Sequence, residues 1–259
     1  MKYGLGHLSV VPCRAEASDS SEQVTQLLFG ETVKVYEKKR SWYRVKTAHD
    51  NYECWMDENQ FVFIGEEEFK ALQSNPALVV NEFADILKHE QSGEMMSVLL
   101  GSSLPFLKDQ KVKLGNEKWI YEGGSLSLSK KGPKTKLAEH ALMLLNAPYQ
   151  WGGRSPFGID CSGFVQLVYK LNGIFLPRDA SQQAEKGSKL SFIEEAEEGD
   201  LAFFDNEEGK ITHVGMILDN NRIIHASGMV RIDRLDHQGI FNQEKRDYTH
   251  RLRLISKIC

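Results

Sequence analysis

Asp160-Cys161-Ser162-Gly163-Phe164-Val165-Gln166-Leu167-Val168-Tyr169-Lys170-Leu171-Asn172-Gly173 spells one helix with both of its ends marked. Phe164, Val165, Leu167, Val168 and Leu171 recur at i, i+1, i+3, i+4 and i+7, the stripe of an amphipathic helix, and Asn172-Gly173 is a stop signal. Cys161 therefore falls in the first turn. There, unpaired backbone N–H groups and the positive end of the helix dipole favour a thiolate, which makes the residue a candidate nucleophile. The bland alternative is a small buried hydrophobe, with Asp160 as a plain helix N-cap. Polar Asp160 and Ser162 on either side of the thiol argue against sealed apolar packing. Trp151-Gly152-Gly153, Gly158 and Gly163 around it leave room for a substrate backbone to approach.

A nucleophilic thiol needs a base that takes its proton and returns it to a leaving amine, and histidine suits both steps near neutral pH. Downstream, Thr212-His213-Val214-Gly215-Met216-Ile217-Leu218 and Arg222-Ile223-Ile224-His225-Ala226-Ser227 read as two strands around the turn-forming Asp219-Asn220-Asn221. If those three residues are the loop, 218 faces 222, His213 faces Ser227, and His225 lies one diagonal step from His213 on the same face. A loop one residue longer or shorter would send the two imidazoles to opposite faces. In the productive register His213 is the general base and His225 its orienting partner, with His213 Nδ1 held by His225 and Nε2 left for the thiol. His7, His49, His89, His140, His237 and His250 read as solvated residues of loops and polar faces. Tyr149 is placed either to donate to a developing oxyanion beside the Cys161 N–H or simply to pack.

Working outward, the region from 135 to 259 runs helix, loop, helix, then strands, an α+β order. Residues 1–65 read as short strands separated by Ser, Asp, Asn and Gly clusters, the pattern of a small β-barrel. Residues 66–134 read as a helical connection, in which both EEEFKALQ and ALVVNEFADILKHE show helical spacing, followed by a second, degenerate β unit. The basic segment Lys130-Lys131-Gly132-Pro133-Lys134-Thr135-Lys136 lacks apolar residues and is the natural linker to the last domain.

The composition suits a folded soluble chain of more than one domain: 259 residues, 41% hydrophobic and 26% charged. With 32 Lys+Arg against 36 Asp+Glu the net charge is −4, which provides no basic surface for nucleic acid. No apolar run is long enough for a signal peptide or a membrane span, so a cytoplasmic location and no membrane partner are expected. The four cysteines, Cys13, Cys54, Cys161 and Cys259, show no C-x-x-C pair or zinc-ligand spacing, so neither a metal nor another cofactor is expected. Cys13 and Cys54 read as buried free thiols. A monomer is expected.

Tyr149-Gln150-Trp151-Gly152-Gly153, Asp160-Cys161-Ser162-Gly163-Phe164, Pro177-Arg178-Asp179-Ala180-Ser181-Gln182, Gly199-Asp200-Leu201 and His213-Val214-Gly215 together resemble the NlpC-type cell-wall cysteine peptidases. The resemblance covers residues 135–259 and implies a papain-like fold. Upstream, Arg14-Ala15-Glu16 and Ser21-Glu22-Gln23-Val24-Thr25-Gln26-Leu27-Leu28-Phe29-Gly30-Glu31 resemble the bacterial SH3-like domain of the γ-D-glutamyl-L-diamino-acid endopeptidases, also called dipeptidyl-peptidase VI. The resemblance implies release of L-Ala-γ-D-Glu from peptidoglycan-derived stem peptides with a free N-terminal alanine, and the lack of a signal-peptide run, unlike secreted members, points to recycling of those peptides as the expected setting. It also implies an acidic residue on the free amine, for which Glu22 and Asp179 are the candidates, with Tyr52, Asp160 and Ser162 completing the pocket. Arg178 is then placed to pair with the D-Glu α-carboxylate. Surface solvation is the competing reading of Glu22, and a structural salt bridge that of Arg178. Three functional alternatives stay open: a general wall endopeptidase, an acyl transferase or amidase of the same fold, and a non-catalytic wall-binding protein.

Overall fold

The computed structural model describes residues 1–74 and 78–259. The chain divides into two compact units, one made of residues 1–131 and 151–156, the other of 132–150 and 157–259.

The first unit opens with seven strands: β1 (Lys2–Gly6), β2 (Val10–Arg14), β3 (Gln23–Leu28), β4 (Thr32–Lys39), β5 (Trp42–Thr47), β6 (Glu53–Asp57) and β7 (Phe61–Ile64). They form one antiparallel, barrel-like sheet in the order β3-β2-β6-β5-β4-β1-β7. Alternation sets its core: Val11 and Cys13, Val33 and Val35, and Cys54 and Met56 point inward while their neighbours do not. Cys13 and Cys54 are both buried and both free.

Helix α1 (Glu66–Ser74) follows, and then β8 (Leu78–Val80), β9 (Ala84–His89), β10 (Met95–Leu99), β11 (Lys111–Leu114), β12 (Glu117–Ile120) and β13 (Ser125–Ser127). β9–β12 form a four-stranded sheet in the order β10-β9-β12-β11, and β8 pairs with β13. The helix expected across ALVVNEFADILKHE is therefore two strands, β8 and β9, joined by residues 81–83; its Ala77 lies outside the described residues. Val79 and Val80 favour a pleated chain, and in β9 Leu87 is buried between exposed Ile86 and Lys88, a period of two that short helical spacing mimics. A two-residue strand, β14 (Arg154–Ser155), completes the described strands of this unit.

The second unit contains α2 (Thr135–Met143), β15 (Gly158–Ile159), α3 (Cys161–Leu171), α4 (Ala180–Gln183), β16 (Ser188–Leu190), β17 (Leu201–Asp205), β18 (Ile211–Leu218), β19 (Arg222–Ser227), β20 (Met229–Leu235), β21 (Gly239–Asn242) and β22 (Asp247–Lys257). β17 to β21 pair in sequence order, and β22 pairs with both β17 and β21, so six strands close on themselves. Ala202, Phe204, Ile217, Ile223, Leu235, Ile240 and Ile255 fill the enclosed core. α3, buried along its whole length, packs on β18 and β19 and on α2. Lys134, from the basic linker, pairs at 2.7 Å with the fully buried Asp200 of the Gly199-Asp200-Leu201 motif, which pins the start of α2. Fold class is α+β. No helix among the described residues is long and apolar enough to cross a membrane.

Candidate active site

Asp160 caps α3 by accepting from the Gly163 N–H at 2.7 Å, and Asn172 with Gly173 (φ 72°) ends the helix where the sequence marks it. Cys161 lies in the first turn, 7% exposed. Here the electrostatics differ from the sequence expectation of a ready thiolate. Burial, and after it the Asp160 carboxylate, pushes the thiol up to about 11, against the smaller pull of Val214 and Ser162 backbone N–H groups and of Arg178. At neutral pH the residue is a thiol that needs a base.

β18 and β19, on which α3 packs, carry the two histidines expected to supply it. Leu218 faces Arg222 and Gly215 faces His225, so His225 is the diagonal neighbour of His213, the register expected for a three-residue turn. Asn220 and Asn221 both take φ 56°, the left-handed conformation such a turn needs. Gly215 of the His-Val-Gly motif also has a structural reason. A Cβ there would stand 2.9 Å from the His225 Cβ, so a side chain opposite His225 would block its approach to His213.

The rings meet through a hydrogen bond of 2.8 Å between His213 Nε2 and His225 Nδ1. This corrects the expected choice of nitrogen. Nε2 is the far end of the ring and can span the diagonal gap between strands, so Nδ1 is the nitrogen left over for another partner. Burial, followed by His225 and His250, drives His213 well below the value of a free imidazole, so it is neutral at pH 7 and able to accept a proton.

Two residues of this cluster escaped the sequence reading. His250 of β22 is a stacking partner rather than a solvated residue, with its ring 4.1 Å from that of His213 and tilted by 26°. Burial lowers it to about 4. Asp233 of β20 accepts from His225 Nε2 at 3.1 Å, and Arg231 donates to the same carboxylate through Nε at 2.8 Å. The β19–β20 register puts Arg231 opposite His225 and hence Asp233 on the diagonal, so a second hairpin reading around Gly228 would have found it. His49 is likewise no surface residue: its Nε2 lies 3.2 Å from Asp50.

Tyr149 is held by its N–H on the Gly228 carbonyl at 3.0 Å, and its chain neighbours Asn146 and Ala147 bond to Val230. Burial first, then the charges of Cys161 and Asp160, pushes its phenol up to about 12, so it stays a donor at neutral pH. Arg178, 1% exposed, bonds Asp160 through both terminal nitrogens, NH1 at 3.0 Å and NH2 at 2.5 Å, and donates from NH1 to Ser162 Oγ at 2.8 Å. Its fork is engaged by the chain itself, as is the Ser162 hydroxyl. Asp179 is the N-cap of α4 and sits beside the Gln182 side chain.

Glu22 and Tyr52 belong to the first unit. Glu22 is exposed and accepts from Trp151 Nε1 at 2.6 Å, and Tyr52 is half-buried with its N–H on Thr47 Oγ1 at 2.9 Å. Gly152 (φ 72°) serves a different close approach from the one expected, since a Cβ there would fall 2.3 Å from the Gln23 carbonyl. Arg154 and Glu31, both buried, form a two-point ion pair at 2.9 and 3.0 Å.

Between the lowered His213 and the raised Cys161 both groups are neutral, and the base is lost only when pH falls through the lowered imidazole value. The acid limb of kcat/KM is therefore expected below the free-imidazole value of about 6.5. Initial rates from about pH 4 to about pH 9 would check this, and a limb at or above that value would contradict it.

Residues 146–248 match the NlpC/P60 family, and residues 13–61 match the bacterial dipeptidyl-peptidase SH3 domain. The γ-D-glutamyl-L-lysine dipeptidyl-peptidase of Bacillus subtilis (strain 168) is 30% identical over 217 residues, 78% of this chain and 71% of that protein. Dipeptidyl-peptidase 6 of Lysinibacillus sphaericus is 29% identical over 248 residues, 86% of this chain and 88% of that protein. In three dimensions, a NlpC/P60 family protein from Bacillus cereus ATCC 10987 superposes with a TM-score of 0.85 at 24% identity, covering 99% of each chain, which confirms the fold. The chain belongs to the NlpC/P60 family, and it is a cysteine peptidase.

Proposed function

We propose that this peptidase hydrolyses the γ-D-glutamyl-L-diamino acid bond of peptidoglycan stem peptides bearing a free N-terminal L-Ala, releasing L-Ala-γ-D-Glu. The observation that carries the chemistry is the His213–His225 pair on the sheet against which the Cys161 helix packs. The relatives named as γ-D-glutamyl-L-lysine dipeptidyl-peptidases, similar along most of the chain, support the choice of bond.

In this reading His213 Nδ1 takes the Cys161 proton as sulfur attacks the γ-carbonyl carbon of D-Glu. The carbonyl electrons move onto oxygen, where the Cys161 N–H and the Tyr149 hydroxyl are the donors. Collapse of the intermediate breaks the C–N bond, and His213 returns the proton to the departing amine of the diamino acid. Water, deprotonated by the same imidazole, then cleaves the thioester and frees the thiol. Substrate amine recognition is assigned in the second unit to Asp179, with Asp160 and Ser162; Glu22 and Tyr52 are the first unit's candidates for the same role. Arg178 serves that pocket by holding Asp160 in place. The free amine is what separates a released peptide from one still joined to glycan, which is why recycling is the setting proposed.

Mass-spectrometric digestion of L-Ala-γ-D-Glu-L-Lys and its meso-diaminopimelate counterpart, each with free and N-acetylated alanine, tests the reading. Release of L-Ala-γ-D-Glu from the free-amine peptides alone is expected, because a carboxylate that loses its ammonium partner is left uncompensated. Equal cleavage of blocked peptides would discard the amine requirement and favour a general wall endopeptidase. No cleavage of any would reject the proposed bond.

A further inference from the structure

We propose that Asp233 is a positioning residue: through His225 it fixes the tautomer of His213, so that the bare lone pair sits on His213 Nδ1. The inference rests on the Cys–His reading above and extends it by a fourth side chain.

The hydrogen bonds decide the matter one proton at a time. An ionised carboxylate only accepts, so the 3.1 Å contact with Asp233 requires a hydrogen on His225 Nε2. Hydrogen bonds from His225 and Arg231 hold Asp233 below the usual carboxylate value, even though burial works against its charge. If His225 is neutral, that hydrogen is the ring's one N–H and Nδ1 is an acceptor. In the tautomer proposed, the 2.8 Å contact is a hydrogen bond donated by His213 Nε2 to His225 Nδ1. His213 Nδ1 is left without a hydrogen, the form a general base needs.

Arg231 locks the start of this relay by gripping both oxygens of Asp233, Nε on Oδ2 at 2.8 Å and NH2 on Oδ1 at 3.2 Å. Asp233 is 6% exposed and His225 is 1% exposed, so water competes little for either. Residues of alternating parity on β18, β19 and β20 bring His213, His225 and Asp233 to the same face as the core residues Ile217, Ile223 and Leu235. Beside them lies a cavity of about 600 Å³ whose lining includes His225, Arg231, Asp233, Asn242, Lys245 and His250. A small carboxylate can enter it.

The direct test is the nitrogen-15 spectrum of the imidazoles in the intact wild-type protein, which needs no substrate. His213 protonated at Nε2 and bare at Nδ1 is expected, and the reverse tautomer overturns the proposal. The second test is the rate at which iodoacetamide alkylates Cys161, measured in Asp233→Ala and Asp233→Asn beside His213→Ala. Asp233→Ala is expected to slow alkylation and kcat together by about 10-fold or more, with KM little changed, as loss of an orienting partner does. Added formate should restore much of both by occupying the vacated carboxylate position, which a purely structural defect would not allow. Wild-type alkylation and kcat in Asp233→Ala sink the proposal. If His213→Ala itself leaves alkylation unchanged, the Cys–His reading fails instead, and the two failures are distinguishable.

Discussion

Cys161→Ala is expected to abolish turnover, lowering kcat by about four orders of magnitude or more while leaving the fold intact. The size follows from the role proposed for the residue: without its sulfur no acyl bond forms, and binding and oxyanion donors alone leave only residual catalysis. The fold should survive because alanine is favoured in a helix, the exchange removes one sulfur atom, and Asp160 still caps the helix through Gly163. Time courses of peptide cleavage with purified variant, alongside its melting curve, make the check. Undiminished turnover by a sample free of wild-type enzyme would remove Cys161 from the chemistry.

Arg178→Met is expected to produce the largest loss of stability. Arg178 and Asp160 are both buried, and the arginine bonds the carboxylate through both of its terminal nitrogens. Removing it leaves the buried Asp160 carboxylate to its Gly163 N–H and Ser162 hydroxyl without the guanidinium, at a cost of about 3–5 kcal/mol. For a unit of this size that corresponds to a fall in Tm of roughly 10–20 °C. The thiol should respond as well, because Arg178 is one of the groups pulling Cys161 down. Slower alkylation of Cys161 in whatever fraction remains folded is the accompanying result. Adding Asp160→Asn should recover part of the lost stability, since the buried charge is then gone. A single variant that melts with wild type would show that the pair carries no such weight.

The local grammar of the chain was legible where neighbours in sequence are also neighbours in space. The cap, stripe and stop of the Cys161 helix lie within fourteen consecutive residues, and the His213–His225 register follows from one three-residue turn. Harder to read was anything decided by distant pairing. β22 closes the strands by pairing with β17 and β21, and nothing local announces that a polar strand such as Asp247–Lys257 will do so. Hence His250 looked like a surface histidine, although it stacks on His213. Asp233 and Arg231 were invisible for a related reason, because charged residues alternating in a strand normally mark a solvent face. The thiol's resting state is not legible because a sequence shows the helix terminus but not the burial that outweighs it. In Leu78–Val80 and Ala84–His89 the apolar spacing is too short to tell a period of two from one of 3.6.

The discontinuity of the first unit has a consequence for how this architecture can be inherited. Its last piece, residues 151–156, lies between Tyr149 and Cys161 in the chain, and it includes Arg154, whose charge is met by Glu31 more than a hundred residues earlier. A recombination event that joined residues 132–259 to a different leading module would import a guanidinium whose counter-charge had been left behind. The two parts are therefore not freely interchangeable cassettes. A chimera of the two keeps both buried charges paired only if it carries Glu31 and Arg154 together or replaces both at once.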